Sequence, residues 1–235
     1  MSGVSRPPAR VRLVSGEVDA KDVATRTVIP SSQLAFWSPF VRVGETLATP
    51  RKRFGPHAHE HQEVLIYLIE GAAQHTTPRG RSEELRAGAV LFLCASAPAS
   101  HAVNPRPGHT ARWFSIVAEI PAEGAVTEGV DVSLPSPSPV QPDGTVLTPL
   151  LGAGTSFRSR LGTEVVAIEF REGGTAFRRV GAGHRALFYS LAGRGSVDNA
   201  PLEGGEAALV ENSAAVSLSG SIGFRVVQAT VPFSG

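Results

Sequence analysis

Cysteine is almost missing from this sequence of 235 residues, in which Cys94 stands alone. That excludes an intramolecular disulfide and fits a reducing compartment, so a cytoplasmic location is expected. A single thiol inside an apolar stretch reads as a small core residue rather than a nucleophile. Long hydrophobic runs are missing too. Nothing approaches the roughly 20 apolar residues that span a bilayer, and the amino terminus, MSGVSRPPARVRLVSGEV, has no unbroken apolar stretch of signal length, so no membrane partner is expected. Charge of one sign is lacking: 22 Lys and Arg against 21 Asp and Glu leave a formal net charge of +1. No global field therefore draws the chain to nucleic acid, and the short basic run Arg51-Lys52-Arg53 reads as a solvated loop. No serine sits in a GxSxG elbow and no glycine-rich loop ends in Gly-Lys-Ser/Thr, which sets aside serine-hydrolase and P-loop chemistry. No long stretch has a convincing helical period.

What is present is turn chemistry and short apolar runs. With Gly 25 and Pro 18, turns are frequent, and the segments between them are rich in β-branched and aromatic residues. Strands are expected at Glu63 to Ile69, Val90 to Leu93 and Arg112 to Val117, then at Glu164 to Phe170, Ala186 to Leu191, Ala207 to Val210 and Phe224 to Ala229. Between the two groups, VDVSLPSPSPVQPDGTVLTP places prolines where a central strand would need donors. The expected organisation is an amino-terminal barrel over 1–129, a Pro-rich connector over 130–149 and a second barrel over 150–235. The halves share a local pattern. Tyr67-Leu-Ile-Glu-Gly71 and Tyr189-Ser-Leu-Ala-Gly193 each end a strand in glycine, and Leu85-Arg-Ala-Gly88 and Leu202-Glu-Gly-Gly-Glu206 each lead into an apolar strand. Such a repeat suggests duplication of one barrel.

Four of the seven histidines fall between residues 57 and 75, three of them alternating in Pro56-His-Ala-His-Glu-His-Gln-Glu63. Side chains two apart on a strand share a face, so His57 and His59 can meet one ion. His101, in Pro98-Ala-Ser-His101, lies after a further strand and can return beside them in an antiparallel barrel, giving three ligands and an open position. Taken singly each histidine would be a solvated or barrel-mouth residue; the HAH pair entering an apolar strand, followed by PxxH, favours metal. His61 reads as a neighbour of the ligands or an exposed residue. Glu63 follows His59 at a spacing that resembles the general cupin pattern of His-x-His and a nearby carboxylate; that resemblance implies a fourth ligand with a catalytic role, and the alternative is a solvent-facing residue at a strand start. Three histidines suit zinc, iron, copper or nickel alike.

HAHEHQEVLIYLIEG resembles the first cupin motif in the version found in pirins. Ser38-Pro39-Phe40, Arg112-Trp-Phe and Glu119-Ile-Pro121 resemble pirin segments around it, and the runs from His184 and from Leu202 resemble the pirin carboxy-terminal barrel. The resemblance runs from about Val28 onwards. It implies an all-β fold of two tandem cupin, jelly-roll-like barrels, with one iron-like divalent ion in the first and none in the second. Pirins usually add a glutamate two residues after the returning histidine, and this chain has Val103 there. The resemblance implies a metal-dependent dioxygenase of the quercetin 2,3-dioxygenase kind, taking a small phenolic or flavonol-like molecule in a barrel lined by Phe54, Tyr67, Phe92, Trp113 and Phe114. The alternative it includes is a non-catalytic, metal-binding pirin that acts as a redox-sensitive regulator through a protein partner.

Overall fold

The computed structural model describes residues 10–19, 23–122 and 129–233, so most of the amino-terminal segment read above for a signal lies outside the described residues. The described residues contain strands and no helix. No helix is long and apolar enough to cross a membrane, which says nothing of membrane β-barrels. In chain order the strands are β1 (Arg10–Ser15), β2 (Glu17–Asp19), β3 (Val23–Ile29), β4 (Phe40–Ala48), β5 (His57–His59), β6 (Gln62–Thr76), β7 (Ser82–Arg86), β8 (Val90–Ala95), β9 (Ala99–Pro105), β10 (Ala111–Glu119) and β11 (Gly129–Ser133). They continue with β12 (Thr145–Leu151), β13 (Glu164–Phe170), β14 (Gly174–Arg179), β15 (His184–Ala192), β16 (Arg194–Val197), β17 (Ala200–Glu203), β18 (Glu206–Glu211), β19 (Ala215–Gly220) and β20 (Arg225–Pro232).

Two compact units result, and neither is contiguous. The first combines Ser15–Ser136 with Gly154–Arg160; the second takes Pro137–Ala153 and Leu161–Gly235 together with the amino-terminal strand β1. In the first unit the sheet runs β11-β8-β6-β10-β4-β3-β2, with β7 and β9 on β6 and β5 on β9. Its interior is filled from alternate positions: Val64, Ile66 and Leu68 of β6, Leu91 and Leu93 of β8, and Trp113 and Val117 of β10 belong to one core cluster. Full burial of such a side chain is worth about 1.5–3 kcal/mol. The second unit pairs a sheet β1-β18-β15-β20-β13-β12 with a sheet β14-β19-β16-β17 around a core that includes Phe170, Phe188, Leu218 and Phe224.

The connector departs from the sequence reading. The stretch read as a connector holds strands at both ends, β11 on β8 and β12 on β13. Pro149 does not break β12, because the strand lies at a sheet edge and its register shifts between Pro149 and Leu151. The shared glycine pattern has a physical basis: Gly71 and Gly193 have φ of 78° and 79°, and a Cβ would collide with the Thr110 carbonyl oxygen at one and with the Phe224 backbone at the other.

Candidate metal centre

His57 and His59 lie on β5, and β5 pairs antiparallel with β9 so that His57 stands directly opposite His101. The strand period then turns all three rings inward together. Ring centroids are 5.0 Å apart for His57 and His59, 4.8 Å for His57 and His101, and 5.2 Å for His59 and His101. One nitrogen from each lies within 4.8 Å of the others, so the three can hold a metal ion.

The donor set fits a cation. Both ring nitrogens of His101 and Nε2 of His59 are buried without a hydrogen-bond partner, a costly arrangement unless something else takes their lone pairs. His59 Nδ1–H donates to Gln62 Oε1 at 2.7 Å, which leaves Nε2 as the free lone pair. Burial, with the neighbouring histidines, holds His101 down at about 3. Burial likewise lowers His59. Both rings are therefore neutral at ordinary pH, the state a metal ligand requires.

The cluster opens on a cavity of about 380 Å³ lined by Arg42, Thr46, Phe54, Val103, Trp113 and Ser115, among others. Of the five aromatic residues expected to line the barrel, Phe54 and Trp113 do so, edge to face at 5.8 Å. Tyr67, Phe92 and Phe114 alternate with the interior residues Ile66, Leu91 and Trp113 and occupy the other face of their strands; Phe92 packs on Phe157 at 5.6 Å.

Glu63 is corrected in the same way. It alternates with Val64, which lines the cavity, so it lies on the opposite face and outside the histidine cluster. Its carboxylate, 4% exposed, accepts hydrogen bonds from Ser159 Oγ at 2.7 Å and from the Arg160 amide. It clamps the 154–160 segment onto the barrel and lies outside the group of residues placed to hold an ion. It also contributes, after burial, to raising the Cys94 thiol. Val103 does face the cavity, and no carboxylate is among the residues that line it.

One residue of the site was passed over in the sequence reading. His75 is fully buried on β6, opposite Val103 of β9, with its ring 5.3 Å from that of His101. Its Nδ1–H donates to Glu83 Oε2 at 3.2 Å, and Nε2 is buried without a partner. The even-numbered interior positions Val64, Ile66 and Leu68 give way to the odd-numbered Ala73 and His75 across the register shift beside Leu68 and Glu70, so alternation counted along β6 from Val64 does not place His75 inside.

An all-β architecture of two barrels, with a three-histidine cluster opening on a cavity in the first, defines a bicupin with a candidate mononuclear metal centre. Residues 16–115, fewer than half of the chain, match the Pirin family model, and over that stretch the chain is similar to pirin-family cupins. The chain is 29% identical over 75 residues to a quercetin 2,3-dioxygenase of Escherichia coli strain K12, an alignment covering 32% of each protein. It spans about a third (32%) of the length of the curated relatives it matches. Among solved structures, the bacterial pirin YhhW of Escherichia coli in complex with nickel(II) superposes with a TM-score of 0.81 at 16% identity, over 96% of this chain and 100% of that one. A quercetin 2,3-dioxygenase of Acinetobacter baumannii gives 0.78 at 16% identity, over 96% and 79%. At these identities the superpositions establish the bicupin fold.

Proposed function

We propose that this chain is a metal-dependent oxygenase acting on a small phenolic, flavonol-like molecule, with the ion held by His57, His59 and His101. The observation that carries it is the cluster of three histidines opening on a cavity of about 380 Å³. A divalent transition ion bound there, iron by preference, supplies Lewis-acid and one-electron chemistry. The protein does the rest. Phe54 and Trp113 offer an edge-to-face pair against which a planar ring packs. The Arg42 guanidinium, on the cavity wall, offers donors to a phenolate oxygen and favours its ionised form. Val64, Ile66 and Val117 keep the wall apolar and limit competing water. The quercetin 2,3-dioxygenase relatives support a substrate of this class. A cytoplasmic location goes with this reading.

One observation favours a second reading. With Val103 on the wall and no carboxylate among the lining residues, the cavity lacks a carboxylate general base to take a phenol proton. A metal-binding regulator acting through a protein partner needs no such base. Oxygen uptake by metal-loaded protein with a flavonol panel separates the two. The oxygenase reading expects uptake that His59→Ala abolishes; no turnover with iron, nickel, copper or zinc, together with specific capture of a protein partner, overturns it.

A further inference from the structure

The second unit has its own cavity, of about 530 Å³, at the mouth of its barrel, lined by Glu164, Val166, Phe177, Arg178, Val180, His184, Gln228 and Thr230 among others. Strand alternation explains the lining. On β14 and just beyond it, Ala176 and Val180 belong to the core of this unit, and Arg178 lies between them on the same face. On β20, Gln228 follows the core residue Val226 by two, and on β15 His184 precedes the core residue Ala186 by two. An arginine thus projects from a barrel's inner face.

Its surroundings are built. Gln228, 4% exposed, accepts from Arg178 Nε at 3.1 Å, and its own amide nitrogen donates to the Arg179 carbonyl at 2.9 Å and to Thr230 Oγ1 at 3.1 Å. Every polar atom of Gln228 is engaged, so the guanidinium is held by one edge in a fixed plane. Its two terminal nitrogens have no hydrogen bond or ion pair to protein among the described residues. A balancing charge comes from Asp143, whose Oδ1 already accepts from the Thr145 amide and hydroxyl. Partial burial disfavours the cation and lowers its affinity for a proton, and Asp143 offsets this only in part. A half-buried guanidinium with its fork open to a cavity matches a carboxylate in two parallel hydrogen bonds.

The remaining walls narrow the ligand. Glu164 lines the same mouth and the Asp143 charge already acts on Arg178, so a second negative charge would be repelled. Val166 and Val180 make an apolar wall, and Phe177, 80% exposed, stands unpaired at the rim. We propose that the second barrel binds a small organic monocarboxylate with an apolar or aromatic body, its carboxylate on the open edge of Arg178 and its body against Val166, Val180 and Phe177. The site is separate from the histidine cluster and does not rest on the oxygenase reading.

Calorimetric titration of the full chain with benzoate tests this, with benzamide and inorganic phosphate as companion probes. Benzoate is expected to bind saturably, one per chain, and at least tenfold more tightly than the neutral amide or phosphate. Arg178→Gln is expected to weaken benzoate at least tenfold. If that variant does not fold by near-ultraviolet circular dichroism, Arg178→Lys, which keeps the charge but not the planar fork, carries the test with an expected loss of at least threefold. Absence of saturable benzoate binding, a preference for phosphate, or affinity indifferent to the Arg178 variants overturns the proposal.

Discussion

Val103 stands two residues after His101 with its side chain on the cavity wall, where the pirin pattern has a glutamate. Placing Val103→Glu there adds a carboxylate beside the three imidazoles. In the metal-free protein that charge is buried without a partner, so the thermal midpoint is expected to fall; with a divalent ion the fourth donor is satisfied, and ion affinity is expected to rise at least tenfold. Competition against a chromophoric chelator measures it, and unchanged affinity would show that position 103 does not reach the ion. Glu63→Gln makes the opposite prediction. Because the Glu63 carboxylate is spent on Ser159 and the Arg160 amide, metal stoichiometry is expected to stay the same while stability drops by about 1–3 kcal/mol, read from denaturant unfolding and elemental analysis of the same sample. Metal loss in this variant would restore Glu63 as a ligand.

At the scale of elements, β6 is the strand on which the site is hung. It pairs with β8 and β10 along its first half and with β7 and β9 along its second, and the change of partners occurs around Gly71. The positive φ there and the close approach of the Thr110 carbonyl leave no room for a side chain. Gly71→Ala is therefore expected to cost more than about 1 kcal/mol, since it combines strain with a clash against backbone. The second half of β6 holds His75 against β9, so the same substitution is also expected to weaken metal binding. A variant with wild-type stability would mean that the strand can straighten without glycine.

For the molecule as a whole, buried neutral histidines make stability depend on pH. In the folded, metal-free chain burial lowers His59, His75 and His101, the last to about 3 against an ordinary value of 6.5. Above pH 6.5 these rings are neutral in both states and do not tilt the balance. Below it the unfolded chain takes up protons that the folded chain refuses, so stability falls with pH until folded His101 titrates near 3. Urea midpoints of metal-free protein are expected to drop between pH 7.5 and pH 5, and less steeply in His101→Asn. A midpoint that rises on acidification would contradict neutral burial of these rings.

The all-β character, the duplication and the three histidines were legible in the sequence because each rests on local chemistry. Short β-branched runs between turn residues specify strands, glycine positions needing positive φ recur in both halves, and a His-x-His pair puts two imidazoles on one face whatever surrounds it. Three things depended on long-range pairing. Glu63 looked like a ligand by spacing, but one residue of alternation relative to Val64 sends it to the other face of β6. His75 looked like one more strand residue until β9 laid Val103 opposite it and His101 within 5.3 Å. The exchange of β1 and of residues 154–160 between the contiguous halves is invisible to any local pattern, because a strand's hydrogen bonds do not name their partner until the sheet is assembled. Local sequence thus determined which residues could serve a metal site, and the tertiary fold decided which of them face it.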